Sequence, residues 1–250
     1  MKLTVLTENN SRIDNYLLAE PGLSLLLEFD NKKILFDTGY SDVFIKNAEK
    51  LNIDLSEVTD IVISHGHNDH TRGLTYFNLR NVPLIAHPKI FDTKIGLDKI
   101  HYGCPISEEE LNKRYKLNLT TKPYWITNEL VFLGEIENNT TPDIDDSALV
   151  YKKENGIYII TGCSHSGIAN IIKYAKKVTN ENKILGVFGG FHLIKKTKEE
   201  MEILSKDLIK EGVPTKTPIY PCHCCDLQSK IEMSKFFNIG EVCVGDILYL

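Results

Sequence analysis

The segment VTDIVISHGHNDHTRG, residues 58–73, joins a short apolar run to a turn in which His65, His67, Asp69 and His70 are crowded together. Val58 to Ser64 is short and β-branched, which predicts a buried strand, and Thr71 to Asn78 predicts the helix that follows. The polar residues therefore fall where strand becomes helix. His65 and His67 are separated by one residue, so at the end of an extended strand they point the same way and can bind one ion. Asp69 and His70 fall at the incipient helix start, aimed elsewhere and available to a second ion. Gly66 and Gly73 are expected to supply backbone angles that a side chain would oppose.

A single histidine here would be read as a solvating or capping residue. Three histidines and an aspartate at this spacing, directly after a strand, point instead to transition-metal ligation, which uses imidazole nitrogen and carboxylate oxygen.

The segment resembles the His-x-His-x-Asp-His signature of the metallo-β-lactamase superfamily. Phe36-Asp37-Thr38-Gly39 is similar to that superfamily's early aspartate turn, and the resemblance implies that Asp37 steadies the metal loop from behind. Thr161-Gly162-Cys163-Ser164-His165-Ser166-Gly167, Gly189-Gly190-Phe191-His192-Leu193 and Tyr220-Pro221-Cys222-His223-Cys224 resemble one subgroup, the dihydropterin ribofuranosylaminobenzene-phosphate synthase-like metal-dependent hydrolases. The resemblance runs from Leu3 to Leu250. It implies an α/β fold of the αββα type: a four-layer sandwich with helices outside two sheets.

A chain of 250 residues with 42% hydrophobic side chains has ample material for one packed α/β domain. The early apolar stretch Leu3 to Leu6 is too short for a signal segment, and no run approaches a membrane span. A cytoplasmic protein is expected. Six cysteines without an export signal read as reduced thiols rather than a disulfide framework. A formal charge of −5 and no basic run interleaved with aromatics argue against nucleic acid as a partner. The small cluster Lys195, Lys196 and Lys198 reads as a solvated helix start. A small-molecule substrate and no membrane are expected; the oligomeric state is left open, with Phe236, Phe237 and Tyr249 readable as core or interface.

The expected strands are Leu3 to Thr7, Leu23 to Phe29, Lys33 to Asp37, Pro83 to Ala86, Leu130 to Leu133, Ala148 to Tyr151, Ile157 to Thr161, Ile184 to Phe188 and Thr217 to Tyr220. Helices are expected over Asp42 to Leu51, Ser107 to Tyr115, Ile168 to Val178, Lys198 to Glu211 and Leu227 to Phe237. Strand runs followed by helices, twice over, divide a single domain of residues 1–250 into a first half of about 1–86 and a second of about 125–250. Residues 87–124 fit neither pattern and are longer than a connection requires, so they read equally as a flap-like insertion or as a surface excursion.

The second half must complete a two-ion site. His165 follows a strand through a glycine turn, as His65 does. Cys163 takes the place where many superfamily members carry a bridging aspartate; it reads as a thiolate ligand or as a small buried residue. His223 ends a strand after Pro221, where the resemblance puts the last metal histidine. Cys222, Cys224 and Cys225 are too tightly spaced around it for a separate zinc ribbon. His192, after Gly189-Gly190, is a candidate for substrate contact or proton donation, with a core histidine as the alternative. Where the superfamily usually has another histidine this chain offers Asp143, Asp145 and Asp146, so Asp146 or His165 would supply the missing ligand. After Gly134-Glu135 the subgroup tends to carry an arginine; Ile136 to Thr141 contain none, which weakens recognition of an anionic substrate there.

These residues lead to a metal-dependent hydrolase that uses a metal-bound hydroxide on an ester, phosphoester or pterin-related small molecule. Its metal ligands would be His65, His67, Asp69, His70, His165 and His223, with Cys163 and Asp146 as further candidates, and its catalytic groups Asp69, His192 and Tyr102. The cofactors would be two divalent ions, zinc foremost, with iron or manganese suited by the same donors. Two other readings stay open: a non-catalytic or redox metal-binding protein on the same fold, and a phosphodiesterase acting on nucleic acid.

Overall fold

The computed structural model describes residues 1–96, 99–137 and 144–250; Asp143, raised above, lies outside the described residues. The chain forms two compact units, one of residues 1–121 and 242–250 and the other of residues 122–241. Of the stretch 87–124, read as a flap-like insertion or a surface excursion, residues 87–121 fall in the first of these units.

The first unit is built on a seven-stranded sheet. Its strands are β1 (Lys2–Thr7), β2 (Ser24–Phe29), β3 (Lys32–Phe36), β4 (Asp60–Val62), β5 (Pro83–Ala86), β6 (Lys116–Leu119) and the C-terminal β13 (Ile247–Tyr249), in the order β13-β1-β2-β3-β4-β5-β6. The β13-β1-β2-β3 end pairs antiparallel and the β3-β4-β5-β6 end parallel. Asp30 and Asn31 close the β2-β3 hairpin, Asp30 in the left-handed region that aspartate tolerates. Helix α1 (Val43–Lys50) lays Phe44 and Ala48 on Leu6, Leu26 and Leu35, and all five are at most 1% exposed. The strand β6 and a short helix α3 (Glu108–Asn112), capped by the Ser107 hydroxyl, lie in the stretch expected as an insertion; Ile90, Ile106, Leu111 and Tyr115 from that stretch join this core. A stretch that donates a strand and core side chains is part of the framework.

The second unit repeats the plan. Its six-stranded sheet runs β12-β11-β10-β9-β8-β7, from β7 (Tyr124–Trp125), β8 (Leu130–Phe132), β9 (Ala148–Lys153), β10 (Gly156–Thr161), β11 (Ile184–Gly190) and β12 (Tyr220–Cys222). The β7-β8-β9-β10 end is antiparallel and the β10-β11-β12 end parallel. Helices α4 (Ile168–Thr179), α5 (Lys198–Lys210) and α6 (Leu227–Met233) pack Ile171, Ile172, Ala175, Met201, Leu208 and Met233 against Val150, Ile157, Ile159 and Val187. Thr197 and Glu200 form a reciprocal capping box at the start of α5, where the lysine cluster sits. Phe237 is core, Phe236 packs against it, and Tyr249 is 80% exposed.

Several boundaries differ from expectation, and two of them bear on the site. The strand expected over Thr217 to Tyr220 forms at Tyr220–Cys222 instead, where β11 offers partners from Phe188 to Gly190. The helix expected at Thr71 begins at Asn68 as α2 (Asn68–Thr71) and passes into a 3-10 turn over Arg72–Thr75, so Asp69 and His70 lie within the helix. No helix among the described residues is long and apolar enough to cross a membrane.

Phe44 is fully buried and meets the Phe77 ring edge-on at 5.7 Å. Phe44→Ala should therefore cost ~3–5 kcal/mol in urea unfolding, while Tyr249→Ala should stay within ~0.5 kcal/mol.

Candidate metal centre

The polar residues singled out in the sequence lie just past the carboxyl ends of parallel strands, where loops in α/β sheets present ligand-binding groups. In the first unit β3 leads to Asp37, β4 to the His65–His70 turn and β5 to His87; in the second β10 leads to Cys163 and His165, β11 to His192 and β12 to His223.

Asp37 organises the first set. It is fully buried with φ +57°, a conformation few non-glycine residues adopt. Its Oδ1 accepts the Ser64 backbone N–H at 2.7 Å, and its Oδ2 accepts both the Ser64 hydroxyl and His70 Nδ1, each at 2.7 Å. Because the Ser64 hydroxyl gives its one proton to this carboxylate, its oxygen accepts from His65 Nδ1, 2.9 Å away. Both His65 and His70 thus carry their ring proton on Nδ1, leaving each Nε2 with a lone pair. His65 Nε2 lies 3.0 Å from His67 Nδ1, and His70 Nε2 lies 3.7 Å from the nearer Asp69 carboxylate oxygen. The His65 ring centroid is 4.6 Å from that of His67 and 4.3 Å from that of His70. Three imidazoles and a carboxylate at these separations are the donors a divalent transition metal takes.

The backbone is clamped as well. The Thr38 N–H and hydroxyl both donate to the His70 carbonyl, at 2.8 and 2.9 Å. A β-carbon on Gly73 would collide with the Thr38 carbonyl oxygen, and one on Gly66 with that of Ile90. Neither glycine has positive φ, so these positions need glycine for close backbone approach rather than for unusual angles. Tyr102, 37% exposed, stands edge-on to His67 at 5.2 Å, and its carbonyl accepts the Asn68 N–H at 2.8 Å.

Three residues of this set carried no sequence signal strong enough to single them out for a role. Ser64 and Thr38 act through bonds to residues distant in sequence. His87 is fully buried and accepts the Lys89 N–H on Nδ1 at 3.2 Å; its place after β5, matching that of His65 after β4, is the signal that could have found it.

In the second unit Ser164, His192 and His223 all have φ between +52° and +56°. Left-handed non-glycine residues at three strand-to-loop turns are the kind of strain that functional sites retain. The Ser164 hydroxyl bonds the Gly190 carbonyl at 2.6 Å, tying the β10 and β11 turns together. The His165 and His192 rings stand 4.5 Å apart. His165 and His223 are buried, at 9% and 8% exposure, while His192 is exposed. Cys163, His192 and Cys224 offer ligand atoms within 4.8 Å of one another. Cys224 Sγ accepts the His192 N–H at 3.2 Å and donates to the Cys163 carbonyl at 3.5 Å. Burial pushes the thiols of Cys224 and Cys225 well above their usual range, so both stay protonated in the absence of an ion. Cys225 accepts the Phe191 N–H at 3.2 Å, a packing role.

Asp146 is fully buried, and its Oδ2 accepts the Ser166 N–H at 2.8 Å. Among the described residues its Oδ1 has no hydrogen-bond partner. Burial drives this carboxyl up to about 7, against the pull of the Ser166 N–H, with Asp145 adding to the rise.

The family described as "Metallo-beta-lactamase superfamily" matches residues 18–176. The 7,8-dihydropterin-6-methyl-4-(beta-D-ribofuranosyl)-aminobenzene-5'-phosphate synthase of Methanocaldococcus jannaschii is 30% identical over 85% of this chain and 84% of its own. The uncharacterized protein MJ0448 of the same organism is 32% identical over 92% of this chain and 93% of its own. Among solved structures, Tm1679, described as a metal-dependent hydrolase of the beta-lactamase superfamily, is 31% identical, with a TM-score of 0.86 over 100% of this chain and 99% of that one. The expected fold class holds on this match.

Asp37→Ala would strand three buried donors and should lower the stability of metal-stripped protein by ~3–5 kcal/mol in urea, against less than ~1 kcal/mol for Asp69→Ala. Asp146 supplies a pH test. Because its native value of about 7 lies above the ordinary carboxylate range, the native state holds more protons than the unfolded chain between pH ~4 and about 7. The contribution of Asp146 to the stability of chelator-treated protein should be fully present below that window and lost as pH rises through it to about 7, no more steeply than ~1.4 kcal/mol per pH unit; the difference between wild type and Asp146→Asn across this pH range should show that decline.

Proposed function

Because this chain belongs to the metallo-beta-lactamase superfamily, we propose that it is a dinuclear metal-dependent hydrolase acting on an ester, phosphoester or pterin-related small molecule. The carrying observation is the Asp37 network, which puts the ring protons of His65 and His70 on Nδ1 and so directs the Nε2 lone pair of each toward His67 and Asp69 respectively. The 3.0 Å approach of His65 Nε2 to His67 Nδ1 supports one ion for that pair, and Asp69 and His70, consecutive on α2, are assigned to the second. His165 and His223 complete the ligand set, with Cys163 and Asp146 as the next donors available. Zinc suits these donors best, and iron or manganese would also be accepted.

When bound, divalent ions supply Lewis acidity and lower the pKa of a coordinated water from ~15.7 to about 7. The protein's own groups do the rest. Asp37 and Ser64 hold the ligand rings in one tautomer, which fixes their direction and raises their basicity. Asp69, with its side chain 31% exposed, orients the attacking water through its carboxylate. Tyr102 and His192 hold protons for the substrate oxygen that gains charge.

The relative named as a dihydropterin synthase supports a pterin-related substrate. The formal charge of −5 supports a small molecule over nucleic acid or a membrane surface. The six cysteines, read as reduced thiols, support a cytoplasmic, reducing location.

Protein purified without added metal should carry close to two ions per chain by elemental analysis, and the Asp69→Ala, His70→Ala double variant should lose one. A double variant that keeps both would overturn the ligand assignment. A panel of phosphodiester, phosphomonoester, lactone, thioester and pterin substrates should reveal turnover that Tyr102→Phe lowers ~100-fold in kcat with KM little changed.

A further inference from the structure

A pocket of about 390 Å³ opens within the second unit, between residues 191–196, the start of α4 and the helix α5. His165 and His192 are among the residues that line it, their rings 4.5 Å apart, and Ile168, Phe191, Leu193, Met201 and Leu204 are its apolar lining residues. The walls are fixed before any ligand arrives. Phe191 N–H bonds Cys225 Sγ at 3.2 Å, and Leu193 exchanges backbone bonds with Cys224 and Asp226 at 2.9 and 3.0 Å. Opposite, the capping box starts α5, and Met201 is only 1% exposed. The charged residues on the lining, Lys196 and Glu200, are exposed and pair with each other at 3.6 Å, so their charges largely balance.

We propose that this pocket receives an uncharged, flat ring system of the substrate, whose reacting bond then lies at His165 and His192. The size is at the low end of small-ligand sites, which run from ~300 to ~1,000 Å³, and suits one ring system with a short substituent. The apolar lining residues stabilise an uncharged group by burial, and with Phe191 and Met201 both among them the lining offers the aromatic and thioether contacts that suit a ring. This assignment rests on the hydrolase reading for its claim that the occupant is substrate, while the pocket itself can be tested without activity.

The chain has three methionines, Met1, Met201 and Met233, so methyl-13C-methionine protein reports on the pocket directly. Met201→Leu identifies the Met201 methyl signal. Titration with 2-naphthol should move that signal saturably and leave Met233, buried in the core, unmoved. Leu204→Trp should fill the pocket and weaken binding at least tenfold, whereas Leu227→Trp, at a position 74% exposed on α6, should not. An unmoved Met201 signal at saturating 2-naphthol, or equal binding by the two tryptophan variants, would overturn the proposal. Metal content of the same samples separates the two ideas: two ions with a silent Met201 defeats the pocket alone, and a responding Met201 in protein that binds no metal defeats the hydrolase alone.

Discussion

The carboxylate of Asp37 is the constraint from which the first unit's His65–His70 turn takes its form. It receives the Ser64 N–H, the Ser64 hydroxyl and the His70 ring, and through Ser64 it also sets the proton on His65. A buried carboxylate is tolerable only when bonded in this way, because desolvation would otherwise cost several kcal/mol. The same bonds that make its burial possible determine which nitrogen of each imidazole faces outward. Asp37 itself sits in a left-handed turn between β3 and α1, and Thr38 carries the clamp on to the His70 backbone. Framework and ligand geometry are therefore one network.

Each unit uses the same device. An antiparallel run of strands supplies a stiff sheet, the adjoining parallel strands end side by side, and the turns beyond them carry the reactive side chains. Parallel strands require crossover connections, which here include α1, α4 and α5. Non-glycine residues with positive φ recur at these ends: Asp37 after β3, Ser164 after β10, His192 after β11 and His223 after β12. Such conformations persist only where surrounding bonds over-determine them. In the second unit those bonds include Ser164 to Gly190 and His192 to Cys224. The cysteines next to His223 thus take part in shaping its surroundings, with Cys224 near Cys163 and Cys225 under Phe191.

Membership of the superfamily accounts for the sheet architecture. It leaves substrate choice to local surfaces, since one fold supports many chemistries. The loop after Gly134-Glu135 lacks the arginine that the subgroup tends to carry, and the pocket beside His165 and His192 is walled by apolar side chains.

Much of this was legible in the order of residues. Short β-branched runs and helical periodicity located most of the strands, α1, α4 and α5, because local hydrophobic pattern is what burial acts on. The spacing of His65, His67, Asp69 and His70 prompts the metal-ligation reading for the same local reason. What the sequence could not show depends on partners far along the chain. That Ser64 and Thr38 join the network, that Gly66 and Gly73 are required by the Ile90 and Thr38 carbonyls, and that residues 116–119 add a strand beside β5 are all consequences of long-range pairing. A proton's position on His65 is decided by Asp37, twenty-eight residues earlier, and only folding brings the two within reach of one hydroxyl.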